Sequence, residues 1–163
     1  MCSRQLAPVL LNQLTLQIAP FLRSPDWRVE RFKLESEIIR AAERWRDLLA
    51  SWGADVIGAE QGLKGIYQGV PLRGKSDLLL KVPSNRLLVV DYKKSSSGKR
   101  RNRMRSQFDL QAHLYRLMIQ TGGLPDLDKT PADIGVVYYL LNDQTALSDI
   151  SIPADGTVLD CRS

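Results

Sequence analysis

Two acidic positions set in strand-like sequence constrain this 163-residue chain more than any other feature: Asp77, then thirteen residues, then Asp91-Tyr92-Lys93. Each acid is embedded in an apolar run, Asp77-Leu78-Leu79-Leu80 and Leu87-Leu88-Val89-Val90-Asp91, and between the runs lies the turn-forming cluster Val82-Pro83-Ser84-Asn85. That pattern reads as a β-hairpin. If the bend centres on Ser84, antiparallel pairing sets Asp77 opposite Asp91, with Cβ atoms roughly 5 Å apart. Asp91 and Lys93 then project from one face of their strand and Tyr92 from the other. Carboxylates this close raise each other's pKa unless a cation lies between them. A divalent metal removes the conflict, and hard oxygen donors suit magnesium or manganese.

The remainder of the chain builds around that hairpin. Ser24-Pro25-Asp26 is a helix-start signal, with a capping Ser and Pro at the first helical position. Leu34, Ile38, Ala41, Ala42, Trp45, Leu48, Leu49 and Trp52 follow at spacings of three and four, and Gly53 closes the helix. Trp45 and Trp52 are expected in the core. A short strand is predicted over 56–60, with Gly62, Gly65 and Gly69 as turn positions, then strands over 70–80 and 86–93, the three forming an antiparallel meander. Residues 95–105 read as a mobile basic loop, 107–120 as an amphipathic helix ended by Thr121-Gly122-Gly123, and 134–141 as a last strand. The tail from Asn142 carries only a weak signal. Tyr138 and Tyr139 fall on opposite faces of the last strand, so at least one is expected in the core. Glu60 reads as a structural residue at a strand end, and His113 as the surface partner of Asp109 four residues earlier.

These elements predict one α/β domain over residues 1–163, with a mixed, mainly antiparallel central sheet flanked by helices. A helical region occupies 1–53 and the motif core 55–141, an organisation compatible with excision from a longer protein. Composition agrees with a globular protein: 44% hydrophobic, 25% charged. Lys and Arg outnumber Asp and Glu by 23 to 18, a net charge of +5 that makes polyanions plausible partners. Cys2 and Cys161 sit at opposite ends, which indicates neither a zinc site nor a disulfide framework and suggests a reducing, cytoplasmic setting. The apolar stretch from Leu6 to Ile18 is interrupted by Asn12, Gln13 and Gln17, so neither a signal peptide nor a membrane span is expected.

On the predicted helix after the basic segment, Gln111 and Tyr115 lie one turn apart on one face. With these residues in view, the chain resembles the RecB-type branch of the PD-(D/E)xK nuclease superfamily, related to CRISPR-associated spacer-acquisition and AddB nuclease domains. The matching elements are Gly74-Lys75-Ser76-Asp77, Val89-Val90-Asp91-Tyr92-Lys93 and Gln111-x-x-x-Tyr115, in order and at the family's spacing. The resemblance implies a restriction-endonuclease-like core and a magnesium- or manganese-dependent deoxyribonuclease, of exonuclease or flap type, serving DNA repair, recombination or phage and CRISPR-related processing. Asp77, Asp91 and the backbone carbonyl of Tyr92 would be metal ligands. Lys93 would orient or deprotonate the attacking water, and Gln111 and Tyr115 would position the site.

Members of that branch carry a metal-binding His on the helix before the sheet; here the only His is His113, inside the Gln111-x-x-x-Tyr115 segment. Glu37 is the favoured substitute and Glu35 the alternative, both flanking the apolar stripe, whereas Glu43 lies on the far side. Two thiols cannot complete the four-Cys iron-sulfur cluster that some relatives hold. Lys94, Lys99, Arg100, Arg101, Arg103 and Arg105 are expected to neutralise phosphates, giving salt-dependent binding to single strands or ends without sequence readout. A helicase or recombination protein is a possible partner. A catalytically silent DNA-binding or assembly module is the alternative.

Overall fold

The computed structural model describes residues 3–95, 97–106, 109–124, 131–152 and 158–161. They fall into two compact units, Met1–Asp47 and Leu48–Ser163. The first begins with α1 (Ser3–Gln17), continues through 3-10 turns at Pro20–Arg23 and Pro25–Trp27, and enters α2 (Arg28–Trp52). Ala7, Leu11 and Thr15, spaced by four, are the buried stripe of α1. Arg31 donates to the Asn12 side chain at 2.9 Å, which ties α2 to α1. The helix-start signal is corrected in detail: Ser24 makes no side-chain cap, and Pro25 opens a 3-10 turn before α2 begins at Arg28. No helix among the described residues is long and apolar enough to cross a membrane.

The second unit is a six-stranded mixed sheet in the order β1-β2-β3-β4-β5-β6. Its strands are β1 (Asp55–Tyr67), β2 (Val70–Val82), β3 (Arg86–Lys93), β4 (Asp133–Leu140), β5 (Thr145–Ser148) and β6 (Val158–Asp160). The first three form the expected antiparallel meander; β4 runs parallel to β3, β5 antiparallel to β4, and β6 parallel to β5. The β2–β3 pairs Leu78↔Val90, Leu80↔Leu88 and Val82↔Arg86 centre on Ser84, the register expected from the sequence. Ser84 and Asn85 turn the corner with φ of 67° and 54°.

Three expectations are corrected. The first strand runs for 13 residues rather than over 56–60, and Gly62 and Gly65 lie inside it, not in turns. Its hairpin turn is Gln68-Gly69, both at positive φ. Residues 97–105, expected as loop, form α3 (Ser97–Arg105). Lys, Arg and Met are good helix formers, so α3 needs no apolar stripe of its own. Met104 anchors it in the core, and the Asp143 carboxylate accepts from the Ser97 N–H at 2.5 Å in its first turn. Finally, the tail after Asn142 contributes β5 and β6, strands too short for periodicity to reveal.

The helix α4 (Leu110–Gly122) starts three residues later than expected, capped by Asp109, whose carboxylate accepts from Ala112 N–H at 3.3 Å. Gln107 and Phe108, in the expected first turn, lie outside the described residues. The helix lies on the face of the sheet that presents Leu63, Leu79, Val89, Val136 and Tyr138, packing Tyr115, Met118 and Ile119 against them. Gly65 permits the close approach: a Cβ there would fall 2.5 Å from the Met118 Cα. Thr121 completes the seam by accepting the Ile66 N–H at 2.8 Å. Tyr138 and Tyr139 are both buried, as is Trp52, whereas Trp45 is half-buried.

Candidate active site

Beyond Leu78↔Val90 the β2–β3 ladder stops, one pair short of Asp77 and Asp91. The strands part there, and the Asp77 side chain takes over, Oδ2 accepting the Tyr92 backbone N–H at 2.7 Å. A charge-assisted bond of this kind locks the carboxylate at the mouth of the parted strands. On β3, Asp91 and Lys93 share a face as the two-residue period requires, and Lys93 Nζ lies 2.5 Å from Asp91 Oδ2.

The α4 residues reach the same carboxylate from above. Gln111 Nε2 donates to Asp91 Oδ1 at 3.1 Å and to the Tyr115 hydroxyl at 2.9 Å. Tyr115 in turn directs its single proton between Lys75 O at 3.0 Å and Asp91 Oδ1 at 3.2 Å. Burial, chiefly, raises the Tyr115 pKa to about 12; the Gln111 bond lowers it, and the charges of Asp91 and Asp77 push it further up. The phenol therefore stays a neutral donor near neutral pH. Asp77, Asp91, Lys93, Gln111 and Tyr115 form one constellation, as expected.

All of these donors converge on Asp91 Oδ1. Oδ2 is buried and ion-paired with the Lys93 ammonium. A carboxylate held at one oxygen and facing a cation with the other marks this as a site for positive charge. Magnesium is commonly held by one or two carboxylates, with water and substrate phosphate completing its shell, and Asp77 with Asp91 matches that donor set. Among the described residues no group of three His, Cys, Asp or Glu side chains is placed to hold a metal ion. Glu37 and Glu35 lie on α2 in the first unit, Glu37 exposed and Glu35 half-buried. Cys161 is buried and forms no disulfide among the described residues, and Cys2 lies outside them.

One part of the site was not visible in the sequence. Tyr138, the register partner of Asp91 on β4, shares its face and places its ring 6.0 Å from Lys93 Nζ. The Tyr138 hydroxyl donates to Asp109 Oδ1 at 2.8 Å, and burial and the Asp109 charge raise its pKa. Arg100 of α3 donates to Asp109 Oδ2 at 3.1 Å and stacks 4.4 Å from the same ring. The only available signal was the Asp before α4, which the sequence reading assigned to His113. That pairing is corrected: the Asp109 carboxylate serves Arg100, Tyr138 and the helix cap, and His113 is exposed.

The network also divides the basic segment. Arg100 is largely buried on Asp109, so it is not the free cation expected of a loop; Arg101 is half-buried, and Lys94, Lys99, Arg103 and Arg105 are exposed. Replacing Asp109 by Asn removes one acceptor from a buried group that serves three donors. It is expected to lower stability by about 2 kcal/mol, the cost of leaving such a donor unsatisfied. A shift of the urea midpoint at constant m-value measures it.

A comparison with curated proteins gives no match. The model of the PD-(D/E)XK nuclease superfamily matches residues 4–156, which include the parted hairpin, both carboxylates, Lys93 and α4. On that match and this mixed sheet flanked by helices, the chain belongs to the PD-(D/E)XK nuclease superfamily, whose general activity is hydrolysis of phosphodiester bonds.

Proposed function

We propose that this chain is a magnesium- or manganese-dependent deoxyribonuclease of RecB type, acting on ends, flaps or single strands. The single observation that carries the reading is the constellation at the parted hairpin: Asp91 with Oδ2 paired to Lys93 and Oδ1 held by Gln111 and Tyr115, beside Asp77 bound to the Tyr92 N–H. Asp77, Asp91 and the Tyr92 carbonyl would hold the metal. The further carboxylate, Glu37 ahead of Glu35, belongs to this proposal on its place beside the apolar stripe of the helix, as read from the sequence. When bound, a divalent ion would lower the pKa of water and neutralise the phosphate.

The protein's own groups supply the rest. Lys93, fixed by Asp91, would take or orient the proton of the attacking water and balance charge growing on the phosphate. Gln111 and Tyr115 would keep Asp91 from rotating, so that Oδ2 stays paired with Lys93. The exposed Lys94, Lys99, Arg103 and Arg105 would engage phosphates, a contact that carries no base readout.

Labelled single- and double-stranded DNA with manganese, set beside Asp91→Asn, tests the assignment. Cleavage by the natural chain and a loss exceeding ~10²-fold in the variant are expected, more than outer-shell changes usually produce. The second reading, a catalytically silent DNA-binding module, is favoured by the absence of a three-residue ligand cluster among the described residues. DNA binding without cleavage by the natural chain would select it.

A further inference from the structure

The hairpin of β1 and β2 carries a second basic surface, on the face turned away from α4. Leu63, Gly65, Leu72 and Gly74 face α4: Leu63 and Leu72 pack on its core, and a Cβ on Gly65 or Gly74 would strike Met118. The residues between them project the other way, so Lys64, Arg73 and Lys75 share the outer face, all exposed. Lys64 and Arg73 are direct cross-strand partners. Like charges placed opposite one another destabilise a sheet, and among the described residues neither has an acidic partner. Lys75 is ion-paired with Glu60.

Folding does not require this pairing of cations. The face around it is flat and open: Gly62, the partner of Lys75, has nothing within 4 Å of where its side chain would be. The surface also leads to the active site. Lys75 precedes Asp77 by two residues, and its carbonyl accepts the Tyr115 hydroxyl at 3.0 Å.

We propose that the outer face of the β1–β2 hairpin is a second phosphate-backbone contact for a nucleic-acid strand, separate from the basic helix α3. Lys64 and Arg73 carry the contact and Lys75 joins it to Asp77. The inference rests on the nuclease reading for its partner and adds a surface which that reading does not use.

The test is the double variant Lys64→Ser with Arg73→Ser, beside the charge-conserving Lys64→Arg with Arg73→Lys. DNA affinity is followed across a salt series with the full chain. The serine variant should flatten the slope of log K against log salt by about 2, one unit for each lost phosphate contact, and the conservative variant should restore it. Its melting temperature should be unchanged or higher, because a repulsive pair has been removed. A lower melting temperature with an unchanged salt slope would mark these residues as structural and overturn the inference. So would an unchanged slope in a fully folded variant. Failure of the natural chain to bind or cleave DNA at all would overturn the nuclease reading itself, a result distinct from either.

Discussion

Replacing Lys93 by alanine is expected to lower manganese-dependent cleavage by about 10³-fold, within the 10²–10⁴ that a positioned proton-transfer group contributes. That corresponds to ~4 kcal/mol of transition-state stabilisation. The geometry makes the loss specific. Lys93 Nζ is 2.5 Å from Asp91 Oδ2 and is the only partner of that oxygen among the described residues, while Gln111 and Tyr115 continue to hold Oδ1. Asp91 therefore keeps its position when Lys93 is removed, and the Lys93 side chain, 26% exposed, leaves no deep cavity. DNA affinity should fall little, because Lys94, Lys99, Arg103 and Arg105 remain exposed. Lys93→Arg should recover binding but not rate, since guanidinium stays protonated and cannot exchange a proton with water. Equal cleavage by the natural chain and Lys93→Ala would remove Lys93 from the chemistry and leave the carboxylates alone to account for any activity.

The centre of this site is legible in the sequence because its determinants are local. Two apolar runs flank a turn cluster, so the sum of paired residue numbers follows from the bend at Ser84, and the register Leu80↔Leu88 bears it out. Gln111 and Tyr115 need only the helical period to converge on Asp91. What could not be read depends on partners distant in sequence. Gly62 and Gly65 look like turn residues by composition; they lie in a strand because α4, some fifty residues later, rests against Gly65. The segment around Met104 has no periodicity to betray a helix, and its position depends on Arg100 finding Asp109 and Tyr138. Tyr138 enters the site through the parallel pairing of β4 with β3, a crossover that no short-range signal specifies.

The same long-range seam predicts the largest effect on stability. Gly122→Ala is expected to cost about 3 kcal/mol, the upper part of the range for forcing extra atoms into a packed interior. A Cβ on Gly122 would sit 1.9 Å from the Lys64 carbonyl oxygen, and one on Gly65 would sit 2.5 Å from the Met118 Cα. In both cases the obstacle is backbone, so relief requires α4 to lift from β1. Gly122 ends α4, and Ala in a helix is intrinsically favoured over Gly by ~1 kcal/mol, so the steric cost must overcome that gain. At 1.9 Å it does. Gly74→Ala is the control: its Cβ would meet only the Met118 Cε and Sδ, the far end of a flexible side chain that can rotate away. Urea unfolding should therefore show a large midpoint shift for Gly122→Ala and a small one for Gly74→Ala, at a common m-value. Cleavage should fall with Gly122→Ala as well, because raising α4 withdraws Gln111 and Tyr115 from Asp91 Oδ1. A Gly122→Ala chain as stable and active as the natural one would show that α4 does not rest on β1 through this seam, and that the carboxylate is held in place by β3 alone.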